Sequence, residues 1–180
     1  MYIDYLDTPL GEMEIQATDE GVAQVIFCGQ EKHPAKPSEI TRRCREQLEQ
    51  YFAGQRKAFD LPLDPCGTEF QKSVWGCLQE IPFGQSLSYG EIADMLNNPK
   101  AVRAVGGANG RNPLTIVVPC HRVIGSNGTL TGYAGGVERK LWLLKHEGFQ
   151  GLADKENRKD SDDALNEVIK LRQDKTQFLK

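Results

Sequence analysis

The sequence predicts an α/β protein. A small N-terminal α/β domain, residues 1–66, precedes a mainly helical C-terminal domain, residues 67–150, that contains a helix-turn-helix; a charged tail fills residues 151–180. Three observations carry this reading. Apolar residues first alternate with polar ones and then recur at helical spacing. Two capping boxes, Thr68-Glu69-Phe70-Gln71 and Ser88-Tyr89-Gly90-Glu91, mark helix starts. A tight turn at Asn97-Asn98-Pro99 joins two short helical stretches.

Taken in order, residues 1–27 read as strands. Met13, Ile15 and Ala17 alternate with polar neighbours, Asp19-Glu20-Gly21 turns the chain, and Val22 to Phe27 returns. Residues 28–38, with Pro34 and Pro37, read as a loop. Ile40, Cys44, Leu48 and Tyr51-Phe52 fall on one helical face, which Gly54 stops. Phe59, Leu61 and Leu63 alternate as a short strand. Phe70, Val74, Cys77-Leu78 and Ile81 give a helix ended by Pro82-Phe83-Gly84. A second runs from Ser88 to Leu96; a third, from Lys100 to about Ala108, has Asn98 as its expected N-cap and Pro99 at its first position. An ordinary helical hairpin would read the same way, but the third helix is unusual. Ala101, Ala104, Gly106, Gly107 and Ala108 are small, each internal Gly costs about 1 kcal/mol against Ala, and Arg103 stands alone among them. Leu114-Thr115-Ile116-Val117-Val118 reads as a buried strand or extended segment that Pro119 stops. Ser126-Asn127-Gly128 signals a turn, and Val137, Leu141 and Leu144 form the stripe of a last helix that Gly148 ends. In the tail, Leu165, Val168, Ile169 and Phe178 hint at a loose amphipathic helix.

Composition sets the class. A chain of 180 residues suits one compact domain or two small ones. No apolar run approaches the roughly 20 residues of a membrane span, and the acidic start Met1–Asp7 lacks the basic start and apolar core of a signal peptide. Cysteines at 28, 44, 66, 77 and 120, with no C-x-x-C pair, indicate reduced thiols and a cytoplasmic protein. Cys28 and His33 are two ligands short of a tetrahedral zinc site, so no metal is expected. The net charge of −3 argues against nucleic acid, yet residues 97–148 hold seven Lys+Arg against two Asp+Glu. Such a segment is either a local electrostatic footprint or a solvated face.

The chemistry concentrates in Pro119-Cys120-His121-Arg122-Val123. A thiolate is a strong nucleophile, and a neighbouring histidine or positive field raises its population near neutral pH. A lone Cys is more often a small buried hydrophobe. Successive side chains of a strand point to opposite faces, so direct contact of His121 with the thiol needs a backbone turn at Pro119; otherwise a water relays the proton. Glu147 stands at a helix C-terminus, where the dipole disfavours a carboxylate. That placement suits either a role beside the site or a solvated helix end.

Pro119-Cys120-His121-Arg122-Val123-Ile124 resembles the active-site signature of the O6-alkylguanine-DNA alkyltransferases. The likeness extends to Ser88-Tyr89-Gly90, Arg103-Ala104-Val105-Gly106-Gly107-Ala108, Asn112-Pro113, Gly132-Tyr133-Ala134-Gly135-Gly136, Lys140-Leu141-Trp142-Leu143-Leu144 and His146-Glu147-Gly148. It is dense from about Thr68 to Gly148, looser before, and stops short of the tail. The resemblance implies a ribonuclease H-like N-terminal domain and single-use transfer of an alkyl group from O6-alkylguanine, or O4-alkylthymine, in DNA to Cys120, with no cofactor. It implies a monomer bound in the minor groove of double-stranded DNA and no membrane. His121 would deprotonate Cys120 through a water, Glu147 would orient the imidazole, and Asn112 would order the turn before the nucleophile. Tyr89 would help rotate the nucleotide out and serve guanine N3. Arg103 would fill the gap left by the flipped base, with Ala104, Gly106, Gly107, Arg111 and Arg122 also at the DNA. Val123, Tyr133 and Ala134 would line the pocket. The alternatives are a lesion-recognition or regulatory DNA-binding protein, which needs no nucleophile, and a Cys-His hydrolase, which needs an oxyanion hole that the sequence does not mark.

Overall fold

The alternation of the first 27 residues produces an antiparallel meander of β1 (Tyr2–Thr8), β2 (Gly11–Ala17) and β3 (Val22–Phe27), with β2 in the centre. The structure, a computed structural model, describes residues 1–130 and 132–153 of the 180; the amphipathic stretch expected between Leu165 and Phe178 lies outside the described residues. The architecture is α/β as expected, and the chain divides into two compact units.

The first unit comprises Met1–Cys66 and, from further along the chain, Pro113–Val117. Helix α1 (Glu39–Phe52) opens with a capping box between Ser38 and Thr41 and packs Cys44, Leu48 and Tyr51 into a core with Met13, Ile15 and Val25. The strand expected at Phe59–Leu63 shrinks to a single bridge between Leu63 and Val22. Pro62 has no N–H to continue a ladder; its carbonyl accepts from Val22 and the Asp64 amide donates back to Val22. This crossing is so close that a Cβ on Gly21 would lie 2.7 Å from the Pro62 oxygen. On β3, Val25 donates to Pro113 and accepts from Thr115, giving a parallel bridge to Leu114.

The expected strand 114–118 does not run on. Ile116 has φ +72°, and the Val117 amide bonds back to the Thr115 carbonyl at 2.9 Å. That is a γ-turn with positive φ, a conformation that strains a β-branched residue. Three residues later Pro119, at φ −81° and ψ 65°, centres an inverse γ-turn closed by the Cys120 amide on Val118.

The second unit begins at Gly67 and holds α2 (Glu69–Leu78), β4 (Leu87–Ser88), α3 (Tyr89–Met95), α4 (Val102–Gly110), β5 (Val123–Ile124) and α5 (Val137–His146). Both expected capping boxes form, Thr68 with Gln71 and Ser88 with Glu91. Helices α3 and α4 form the helix-turn-helix, and Trp75 of α2 ties α4 in place by donating to the Ala108 carbonyl. The expected start of α4 needs correction. Asn97 has φ +55°, and Ala101 donates to Asn98 around a turn with Pro99 inside it. Pro99 therefore serves the turn, where its fixed φ fits, and α4 begins at Val102 with no side-chain cap. Helix α5 ends in a Schellman motif: Gly148 (φ +75°) donates to Lys145, and Phe149 donates to Leu144. Phe149 packs with Leu144, Leu141, Ile124 and Leu152. Ala153 donates to Gly128, so the first residues of the expected tail belong to this packing. Val137, expected in the apolar stripe of α5, is exposed, while Lys140 on the same helix is fully buried.

Candidate active site

The nucleophile is placed by turns rather than by a strand. After the inverse γ-turn at Pro119, Cys120–Arg122 form one 3₁₀ turn that leads straight into β5. β5 pairs in parallel with β4, Val123 opposite Leu87, and β4 leads directly into Tyr89. The short ladder therefore fixes the Cys120 turn beside the start of α3. The Tyr89 ring lies against α4, where a Cβ added to Gly106 would stand 3.9 Å from it.

Cys120 is buried, at 4% exposure. Burial pushes its thiol up. Opposing this are a hydrogen bond from the Asn112 side chain, the charge of Lys140, and backbone bonds at Cys120 and His121. Asn112 also donates to the Val118 carbonyl at 2.8 Å, so one amide braces the turn and the sulfur together.

His121 is fully buried and its Nε2 lies 2.7 Å from Glu147 Oε2. Burial pushes the imidazole below its ordinary value, outweighing the Glu147 contact that raises it; Arg122 and Lys140 lower it further. At neutral pH His121 is therefore uncharged. With Nε2–H donating to the carboxylate, Nδ1 is left as a bare base, and it has no partner among the described residues. Burial alone would raise the Glu147 carboxyl, but the hydrogen bonds and charges of His121 and Arg122 hold it well below the ordinary carboxylate range. The 3₁₀ turn and the Schellman cap of α5 bring these groups together, and the helix-end carboxylate thus has a defined partner set.

Arg122, expected among the DNA contacts, is turned inward instead. It is 6% exposed, its Nε and Nη2 hold the two Glu147 oxygens at 2.7 and 3.0 Å, and its Nη1 donates to the Ile81 carbonyl at 2.6 Å. Its guanidinium also lies 5.8 Å from the centre of the Phe83 ring. A buried carboxylate needs such a partner, and a groove phosphate cannot reach a guanidinium already spent in this way.

The remaining DNA-facing candidates do lie outside. Arg103, Ala104, Gly107 and Arg111 are exposed on or just after α4, and Gly106 is half-buried. A Cβ on Gly107 would meet nothing within 4 Å, so the fold itself does not require glycine there. Val123 is fully buried, Ala134 is exposed, and the Tyr133 hydroxyl is buried with no partner among the described residues. Sequence reasoning missed Lys140 and Asn109. Burial brings the Lys140 ammonium down to about 8, with Cys120 the charge that opposes the shift. Asn109 is 2% exposed and its Nδ2 faces the Cys120 carbonyl at 3.5 Å. Only its spacing, one helical turn before Asn112, could have marked it.

Two family models match this chain. The ribonuclease-like domain of 6-O-methylguanine DNA methyltransferase matches residues 1–65, and the DNA binding domain of the same family matches residues 69–149. A methylated-DNA–protein-cysteine methyltransferase from Methanosarcina acetivorans is 51% identical over 154 residues, which is 82% of this chain and 99% of the relative. The constitutive protein of that name from Bacillus subtilis is 46% identical over 159 residues, 81% of this chain and 94% of the relative. The solved structure of Mycobacterium tuberculosis OGT in complex with DNA superposes with a TM-score of 0.76 at 42% identity, covering 82% of this chain and 93% of that one.

Proposed function

Because this chain belongs to the 6-O-methylguanine DNA methyltransferase family, we propose that it repairs O6-alkylguanine in DNA by moving the alkyl group onto its own Cys120. The observation that carries the proposal is the buried chain from Arg122 through Glu147 to His121, which leaves His121 Nδ1 bare one residue from the thiol.

The target atom lies inside the duplex, so the nucleotide is flipped out at a cost of a few kcal/mol. Arg103 on the exposed face of α4 fills the gap from the minor groove, with Ala104, Gly106 and Gly107 allowing close approach and Arg111 at the backbone. Tyr89 helps rotate the nucleotide and serves guanine N3. His121 Nδ1 takes the thiol proton through a water, and Glu147 stabilises the imidazolium that forms. The sulfur attacks the alkyl carbon in line. The S–C bond forms as the C–O6 bond breaks, and the departing guanine regains the proton. Ala134 presents its amide to O6, while Val123 and Tyr133 line the pocket. The thioether product is a poor leaving group, so each molecule acts once and needs no cofactor. O4-alkylthymine presents the same alkyl–oxygen bond and is a second substrate. The protein works as a monomer in the cytoplasm; among the described residues no helix is long and apolar enough to cross a membrane.

Incubation with duplex DNA containing O6-methylguanine should add one methyl to the peptide bearing Cys120 and leave Cys28, Cys44, Cys66 and Cys77 unmodified. Methyl on another cysteine, or turnover without a protein adduct, would refute the assignment.

A further inference from the structure

Helix α4 carries Arg103 on its exposed face, yet its own sequence supports it poorly. Three of its nine residues, Gly106, Gly107 and Gly110, are glycines, which weaken a helix, and no side chain caps its start. Its end is held from outside. The Asn112 amide bonds to the Asn109 carbonyl at 3.3 Å, three residues back, and so leaves the Ala108 carbonyl, four residues back, to other donors. That carbonyl accepts the Arg111 amide at 3.2 Å and the indole N–H of Trp75 at 2.9 Å. The indole therefore stands where the next helical N–H would donate. Trp75 is 3% exposed, and its ring lies so close to Gly67 that a Cβ there would come within 2.5 Å of it. The residue released from the helix by this exchange is Asn112. Its side chain donates to the Val118 carbonyl at 2.8 Å and to the Cys120 sulfur.

We infer that Trp75 is a positioning residue for the transfer: its indole N–H caps α4 from the side, ends the helix at Gly110 and so sets the Asn112 amide against the nucleophile. The inference rests on Cys120 being the alkyl acceptor, as proposed above. It joins the helix that carries Arg103 to the brace of the nucleophile at a single hydrogen bond. Without the indole donor, the Ala108 carbonyl takes the Asn112 amide, α4 lengthens, and the Asn112 side chain turns away from the sulfur. A tryptophan that only filled space would act through its ring and not through its N–H.

Trp75 is replaced by β-(3-benzothienyl)alanine, which keeps the ring shape and puts sulfur in place of the N–H, and by phenylalanine. Thermal melts establish which variants are folded. Two rates at Cys120 are read: single-turnover methyl transfer from a duplex carrying O6-methylguanine, and alkylation by iodoacetamide as a function of pH. The benzothienyl variant should lose about three- to tenfold in methyl transfer, the worth of one net hydrogen bond. Its iodoacetamide profile should move to higher pH, since the Asn112 bond supports the thiolate. Asn112→Ala should move the profile the same way. Adding the benzothienyl replacement to Asn112→Ala should move it no further, because both act on the same contact. An unmoved profile in the folded benzothienyl variant, or shifts that add in the double variant, would overturn the inference. A loss confined to Trp75→Phe would overturn it too, by assigning the effect to the ring. If wild-type Cys120 reacts with iodoacetamide but gains no methyl from the duplex, the alkyl-transfer reading has failed, while the profiles still decide what Trp75 does to Asn112.

Discussion

Replacing Arg122 with alanine tests whether this residue binds DNA or holds the site. In the structure its guanidinium closes three hydrogen bonds of 2.6–3.0 Å, two to Glu147 and one to the Ile81 carbonyl. Removing it leaves a buried carboxylate that keeps the hydrogen bond of the neutral His121 but loses its guanidinium, and it deprives a main-chain carbonyl of a charged donor. Breaking a buried pair from one side costs about 3–5 kcal/mol. For a chain of this size each kcal/mol moves the melting temperature by about 2–4 °C, so melting should fall by roughly 6–20 °C. Arg103→Ala, on the exposed face of α4, should stay within about 0.5 kcal/mol of wild type. DNA affinity is measured as a function of salt at a temperature where all variants are folded. Loss of a phosphate contact would flatten the logarithmic salt dependence by nearly one unit; Arg122→Ala should leave the slope unchanged. A flattened slope with an unchanged melting temperature would refute the reasoning and put the guanidinium on DNA.

Three further outcomes follow from the same geometry. Arg103→Ala should slow repair in duplex DNA at least tenfold more than it slows reaction with free O6-benzylguanine, which needs no flipping; equal slowing in paired single-turnover assays would make Arg103 structural. Stability should fall with pH in two limbs, because the folded values of His121 and Glu147 both lie below their ordinary 6.5 and 4.5, so the unfolded chain takes up protons first. Urea midpoints at about pH 7.5, 5.5 and 4 should record both limbs, and Glu147→Gln should remove the lower one. Lys140→Met should shift the pH profile of Cys120 alkylation by iodoacetamide upward, since the ammonium supports the thiolate; an unmoved profile would mean that the lysine only fills space.

What the sequence made legible was local. The capping boxes at Thr68 and Ser88 work over three residues and formed as read, and so did the alternation of Met13, Ile15 and Ala17. What it concealed depends on partners distant in the chain. Arg122 meets a carboxylate 25 residues away, and nothing near Arg122 distinguishes an inward guanidinium from an outward one. Lys140 is buried against the rule for its residue type, so its burial could not be read from its identity. Ile116 adopts positive φ inside a β-branched run that otherwise predicts a strand. Asn98-Pro99 carried a true turn signal, but turn and N-cap use the same residue types, and the turn won.

The five residues Pro113–Val117 carry an implication for how the protein is made. They complete the edge of β3, yet they emerge from the ribosome only after the whole of α2, α3 and α4 has been synthesised. The N-terminal meander thus cannot satisfy the Val25 amide and carbonyl with their native partners until the last residues before the nucleophile have been translated. Domains usually fold in the order of synthesis; here the first to be started is finished late. An N-terminal fragment ending at Cys66 would carry an unpatched strand edge, the kind of surface that recruits other chains. A C-terminal fragment beginning at Gly67 would carry Leu114 and Ile116, both buried in the intact protein, with nowhere to put them. Gene fusions and split versions of this protein should therefore be cut elsewhere than at its apparent domain boundary.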